Sequence, residues 1–162
     1  MVELDKNLRN IDMTIINLEN GDFSIDNNIV IGRDKSYFDI LELVPQNRTW
    51  DIGNGYKWIY FENVDIENLI FYVNVCFHNN RLFCIDFGFV TEQQKKLTWD
   101  DWSEKEELKR KDIYEEWLTE KIGEKRTYSW GKIGASYDPR GGVSSMVINY
   151  VNENKPTENG KF

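Results

Sequence analysis

The chain has 162 residues, a formal net charge of -8 and an aromatic content of 14%. A chain of this length can bury about 70% of its unfolded surface, so a single domain needs no disulfide or metal to hold its core together. We predict one domain over residues 1–151 and a polar, disordered tail over residues 152–162. Because phosphate binding needs clustered Lys and Arg, the acidic balance argues against nucleic acid and anionic membranes as partners and favours a basic partner.

The N-terminal residues mix charges with single apolar residues and lack the apolar stretch of roughly 7–15 residues that is typical of a secretory signal. The longest mainly apolar stretch, residues 69–77, is too short to span a bilayer. The two Cys residues are then expected to be reduced thiols. Together these observations predict a cytoplasmic protein without a membrane span.

Short strands and one short helix are predicted in the first third of the chain. Residues 14–18 favour a strand, and the turn signal Asn20-Gly21-Asp22 after them predicts an opening hairpin. Residues 23–31 give further short strands. Apolar residues at helical spacing over residues 36–44, stopped by Pro45, predict a helix of about two turns. Residues 45–55 are predicted to be a surface connection.

Three strands are predicted at residues 56–64, 68–78 and 82–90. A three-residue loop of Asn79, Asn80 and Arg81 makes one face of the second hairpin wholly apolar, whereas an even-numbered loop mixes apolar and charged side chains on both faces. We therefore predict the three-residue loop. It pairs Phe77 with Phe83, Val75 with Ile85, Val73 with Phe87 and Phe71 with Phe89 on the apolar face, and Tyr72 with Gly88, Asn74 with Asp86, Cys76 with Cys84 and His78 with Leu82 on the other.

A long helix is predicted over residues 103–122. Ser103 begins a capping-box pattern, and Gly123 suits the position after the last turn. An apolar stripe is predicted to pack on the apolar sheet face; it comprises Ile113, Tyr114, Trp117 and Leu118, with Lys121 or Ile122. The opposite side alternates acids and bases, as solvated helix surfaces do.

The last predicted unit is a hairpin over residues 126–151, turned at Asp138-Pro139-Arg140-Gly141. These elements predict an α+β fold. A mainly antiparallel sheet of about six strands packs on the one long helix, with the short helix near residues 36–44 beside it.

Catalytic and metal-binding chemistry is poorly supported by the residue pattern. Cys76, His78 and Cys84 share a predicted sheet face, but the chain has no second His and no Cys-x-x-Cys pair for a zinc site. Cys76, His78 and Asp86 also share that face, yet residues two apart on a strand are about 7 Å apart, too far for an easy Cys–His hydrogen bond. We predict no cofactor and no catalytic set. A small-ligand binder or an enzyme using the polar face around Tyr72, Cys76, His78 and Asp86 is the alternative.

Aromatic and acidic side chains give the best candidates for a partner interface. Residues 1–65 hold 12 acids and 6 bases, so a basic partner would find the strongest attraction there. Tyr and Trp beside acids can anchor a protein partner. The predicted interface residues are Trp58, Tyr60, Tyr72, Asn74, Asp86 and Arg140; the last lies at a hairpin tip, where exposed residues often bind partners.

Three stretches of the chain carry a resemblance. Residues 128–150, YSWGKIGASYDPRGGVSSMVINY, resemble the closing hairpin of small uncharacterised bacterial proteins. The strands Tyr72-Val73-Asn74-Val75-Cys76-Phe77 and Arg81-Leu82-Phe83-Cys84-Ile85, and the helix containing Trp117-Leu118, are similar to them too. Some of those proteins are similar to immunity proteins that neutralise secreted toxins. The resemblance implies a non-catalytic binding protein whose partner is a toxin, here a basic one.

Overall fold

The computed structural model describes residues 15–26, 28–90 and 98–151, which form an α+β fold with two helices and two antiparallel sheets. A pair of two-residue strands precedes a seven-stranded sheet with the order β3-β4-β5-β6-β9-β8-β7. No helix in this part of the chain is long and apolar enough to cross a membrane. The strands are β1 Phe23–Ser24, β2 Val30–Ile31, β3 Thr49–Gly53, β4 Tyr56–Ile66, β5 Leu69–His78, β6 Arg81–Val90, β7 Thr127–Tyr128, β8 Gly131–Asp138 and β9 Val143–Tyr150; the helices are α1 Tyr37–Leu43 and α2 Glu104–Ile122, with a 3-10 turn at Trp99–Asp101.

The predicted α+β class and antiparallel sheet are confirmed, but the main sheet has seven strands where about six were predicted. The surface connection predicted for residues 45–55 is wrong, because Thr49–Gly53 forms strand β3. The turn that joins β3 to β4 is an Asn-Gly pair with positive φ at both positions, Asn54 and Gly55. At the start of the fold, Ile16 makes only an isolated bridge to Phe23. The predicted tail, residues 152–162, lies outside the described residues.

The predicted register of the β5–β6 hairpin is confirmed from Phe71–Phe89 to Cys76–Cys84. Its loop is wrong: Asn79 and Asn80 form a two-residue turn with φ of 51° and 71°, and His78 pairs with Arg81. Asn tolerates positive φ, so this turn suits the right-handed twist of a hairpin. A bulge next to Cys76 takes up the extra residue, which restores the predicted pairing further along the strands.

The apolar face of β4, β5, β6 and β9, called the inner face here, carries the core. Helix α2 covers one part of it, with Trp117 against Phe71 and Phe87. Segment 15–44 covers another part, with the Phe23 ring 4.9 Å from that of Phe87 and the Tyr37 ring of α1 against strand β5. Of the apolar stripe predicted on α2, Tyr114, Trp117 and Leu118 are buried, but Ile113 is 41% exposed.

The N-terminal segment is fastened to the C-terminal hairpin. The indole N–H of Trp130 donates to the Leu18 carbonyl at 2.8 Å, and the Tyr150 hydroxyl donates to the Gly21 carbonyl at 2.7 Å. Gly21 has φ of 84°, and a Cβ there would lie 2.5 Å from the Trp130 ring. Glycine is therefore required at position 21 by both the backbone and the close approach.

Helix α2 also bonds to the backbone of two strands. Pairing of β6 with β9 ends at Phe87–Met146. Beyond that point the Tyr114 hydroxyl donates to the Phe89 carbonyl at 2.9 Å, and the Glu107 carboxylate accepts from the Ser144 N–H at 2.9 Å. The helix thus satisfies strand groups that the sheet itself leaves unpaired.

Candidate partner-binding face

Five of the six predicted interface residues lie on one face of the sheet, opposite the core, which we call the outer face. One row across β4, β5 and β6 consists of Tyr60, Asn74 and Asp86. The next row consists of Trp58, Cys76 and Cys84. Tyr72 lies opposite Gly88 on the same face. Arg140 is not part of this group; it lies exposed at the β8–β9 turn, where its N–H donates to Asp138 at 3.0 Å.

Aromatic rings line the β4 side of the outer face. The Trp58 and Tyr60 rings are nearly parallel, with centroids 6.2 Å apart and planes inclined by 10°. The Arg48 guanidinium lies 3.9 Å from the centre of the Tyr60 ring and 3.1 Å from the Glu62 carboxylate. Trp58 and Tyr60 are half-buried, so only part of each ring is open to a partner.

A second aromatic group adjoins the β5–β6 turn. Tyr56 stacks on His78 with centroids 4.2 Å apart, and its ring meets Phe83 edge-on at 5.3 Å. Phe83 was predicted on the apolar face opposite Phe77; that prediction is wrong, because the bulge turns it outward, where it is 40% exposed. His78 therefore serves as an aromatic packing partner in this group.

The two thiols face each other across β5 and β6, both buried and both free. Donation of the Cys84 S–H to Cys76, together with burial, raises the pKa of the Cys84 thiol, and the same hydrogen bond lowers the pKa of Cys76. Among the described residues, no group of three or more His, Cys, Asp and Glu side chains could hold a metal ion.

The Asp86 carboxyl on the outer face has a shifted pKa. Burial raises its pKa, while a hydrogen bond with Ser145 acts in the opposite direction. Its Oδ1 atom is buried and has no hydrogen-bond partner among the described residues. Burial also raises the pKa of the neighbouring Tyr72.

The Tyr114 side chain of helix α2 closes the Tyr72 end of the outer face. A Cβ at Gly88 would lie 2.6 Å from the Tyr114 hydroxyl and 2.8 Å from the Tyr72 hydroxyl, so these two groups fill the space above Gly88. Burial raises the pKa of Tyr114 to about 12.

A cleft of about 680 Å³ lies beside β4, between the 25–29 and 44–48 segments, and another of about 410 Å³ lies near Asp22 and Arg81. Neither is lined by Tyr72, Cys76, His78 or Asp86.

Sequence reasoning missed several exposed apolar side chains on strand β3 and on helix α1, which packs on the inner face. Trp50, paired with Trp58 at the sheet edge, is 57% exposed, and Ile52 is 45% exposed. On α1, Phe38 is 58% exposed and Leu43 is also exposed. The Asn54-Gly55 pair was the available signal, because an Asn-Gly turn between short apolar runs is typical of a hairpin.

No protein-family model matches the sequence, and no curated protein matches it. The fold is similar to that of a chain in the solved structure of Rhs1-CT in complex with cognate immunity protein RhsI1. The TM-score is 0.55 and the sequence identity 15%, and the match covers 90% of this chain and 92% of the other. At this identity the comparison establishes a shared fold.

Proposed function

We propose that this protein is a non-catalytic binding protein, an immunity protein that neutralises a protein toxin by forming a complex with it. The observation that carries the proposal is the fold similarity, over 90% of the chain, to a chain of a complex between Rhs1-CT and its cognate immunity protein. The partner is a basic protein. The proposal places the complex in the cytoplasm and involves no cofactor, membrane or nucleic acid.

The chemistry of the surface supports this proposal. The net charge is -8, and most of the excess acid precedes residue 65, where Trp50, Trp58 and Tyr60 also lie. Large aromatic side chains supply much contact area at low entropic cost, and acidic groups around them attract a basic partner and speed its encounter.

The test is co-expression with the toxin domain encoded beside this protein. We expect the wild-type protein to restore growth of cells that produce the toxin, and the purified pair to elute as one complex from a sizing column. An unrelated domain with the same net charge serves as the control for nonspecific charge attraction. Absence of both growth rescue and a complex would contradict the proposed function.

The second candidate is a small-ligand binder or an enzyme that uses the polar part of the outer face. The buried, unpartnered Oδ1 of Asp86 beside Tyr72 favours it. We rank it second because Tyr114 and Tyr72 fill the space above Gly88 and the two clefts lie elsewhere. If it holds, Asp86→Asn removes the protein's activity while leaving any toxin complex intact.

A further inference from the structure

We propose that strand β3 is the docking strand for the toxin: an extended, basic segment of the partner adds to the free edge of β3, with Trp50 as its anchor. This inference rests on the proposed function, and it names the part of the surface that makes the contact. It places the centre of the interface outside the Tyr72–Asp86 region, at residues that sequence reasoning left in a loop.

The backbone of β3 offers unpaired groups at the edge of the sheet. Among the described residues, β3 pairs only with β4. The Tyr60 N–H donates to the Arg48 carbonyl at 3.0 Å, and hydrogen-bonding direction alternates along a strand. Thr49 and Asp51 therefore point their N–H and C=O groups away from β4. A partner strand bonds to such groups in strand addition.

From Thr49 to Asp51, the edge of β3 has little of the usual protection against pairing. Natural edge strands are kept short, or carry Lys, Pro or a bulge. All five residues of β3 are exposed, and none is Lys or Pro. The shift in β3–β4 register falls between Asp51 and Gly53, beyond the Thr49 and Asp51 groups that are proposed to pair. At the other end of the sheet, β7 has only two residues. Further along β4 a bulge between Phe61 and Val64, with Asn63 at φ of 56°, interrupts the edge.

Apolar side chains flank this edge on both sides of the sheet. Trp50 lies on the outer face, because it pairs directly with Trp58. On the inner side, Phe38 of α1 lies 5.2 Å from the Lys57 ammonium, and Lys57 is directly opposite Asp51. A strand added to β3 would thus gain apolar contacts above and below its backbone.

Charge decides between a toxin segment and a second copy of this chain as the occupant. Residues 15–65 hold nine acids and four bases. These bases are engaged within the chain: Arg48 pairs with Glu62 at 3.1 Å, Lys35 lies 3.9 Å from the Asp34 carboxylate, and Lys57 lies over the Tyr37 and Phe38 rings. A second copy would bring like charges together, whereas a basic segment would be attracted.

The experiment measures the dissociation constant of the wild-type complex with the neighbouring toxin domain, and then those of Trp50→Ala and Thr49→Pro. Trp50→Ala removes the anchor, and Thr49→Pro removes an outward N–H without removing a β3–β4 hydrogen bond. We expect each to weaken binding at least tenfold. Thr49→Val, which keeps the N–H, and Ile113→Ala, on the exposed side of α2, should leave binding within twofold.

Thermal melts of each variant test whether the β3 substitutions leave the fold intact. If the Thr49→Pro variant unfolds, Trp50→Lys replaces it. A wild-type complex whose affinity is unchanged by both β3 substitutions overturns the docking strand and leaves the proposed function standing. Absence of any wild-type complex overturns both. A concentration-dependent dimer of the free protein that Thr49→Pro dissolves overturns the toxin segment in favour of a second copy.

Discussion

The part of the seven-stranded sheet under helix α2 differs from the β3 end in what satisfies its polar groups. Helix α2 packs over β8 and β9, and its Tyr114 and Glu107 side chains bond to the strand backbone at Phe89 and Ser144. At the β3 end, called the open end here, the described residues provide β4 on one side of the strand and no strand on the other. Under the helix the chain itself supplies the hydrogen-bond partners, so these groups contribute to stability. At the open end a partner protein can supply them.

Two tryptophans, one in each part of the sheet, should show the largest difference in their effect on stability. Trp130 is fully buried, stacks on Tyr128 and donates to the Leu18 carbonyl, so Trp130→Ala should lower the free energy of unfolding by about 3–5 kcal/mol. Trp50 is exposed, so Trp50→Ala should change it by less than about 0.5 kcal/mol. Urea denaturation of both variants gives the two values. Comparable losses would mean that the β3 end belongs to the core.

Gly88 tests how tightly α2 closes its end of the sheet. An added methyl would meet the Tyr114 and Tyr72 hydroxyls, so Gly88→Ala should lower the free energy of unfolding by about 1–3 kcal/mol. Gly134, where a Cβ would have open space, provides the matched control, and Gly134→Ala should be nearly neutral. Combining Gly88→Ala with Tyr72→Phe should recover part of the loss, since one hydroxyl is then removed.

Asp86 lies between the two ends and predicts a pH dependence. Burial raises its pKa above the ordinary value of 3.8, so the folded state holds the proton more tightly than the unfolded state. The resulting stabilisation is complete below the ordinary pKa and is lost as the pH rises through the raised pKa. Asp86→Asn should remove this dependence and raise the free energy of unfolding at pH 7 by about 1 kcal/mol, because the neutral amide removes the cost of keeping a charged carboxylate away from water.

Urea denaturation of the wild type and Asp86→Asn at pH 4 and pH 7 measures this difference. The free energy of unfolding of Asp86→Asn minus that of the wild type should be larger at pH 7 than at pH 4. If this difference is larger at pH 4 instead, Asp86 is stabilised in its charged form.

The smallest effect is expected at the open end. The Arg48 and Glu62 side chains are 63% and 60% exposed, so Glu62→Gln should change the free energy of unfolding by less than about 0.5 kcal/mol in urea denaturation. Stability close to that of the wild type would leave these residues available for binding. A loss above about 1 kcal/mol would show that the Arg48–Glu62–Tyr60 group holds β3 in place.

Local signals explain what could be predicted from the sequence. Helix α2 has an N-cap at Ser103, whose side chain accepts from the Glu106 N–H, and a buried stripe at helical spacing. The β5–β6 register follows from strict alternation, because one face of that hairpin is buried. On the outer face the same alternation brought Trp58, Tyr60, Tyr72, Asn74 and Asp86 together, although their role at an interface stays a prediction.

The features that were missed depend on the tertiary structure. Strand β3 lies at an edge with both faces exposed, so no alternation marks it, and only the Asn54-Gly55 turn signals a hairpin. The bulge that turns Phe83 outward arises from the turn geometry at Asn79 and Asn80, which hydrophobic pattern alone cannot specify. Ile113 was assigned to the buried stripe because periodicity does not fix how wide the covered part of a helix is.

The contacts that fasten the N-terminal segment have a consequence for how the protein is made. Trp130 bonds to a residue 112 positions earlier, and Tyr150 to one 129 positions earlier. Contacts between residues so distant in sequence form late and slow the folding of a domain. On the ribosome, Leu18 and Gly21 emerge long before Trp130 and Tyr150, so the segment that holds them can dock only after strand β9 has been made. Any surface that depends on this docking is therefore assembled late in synthesis of the described residues.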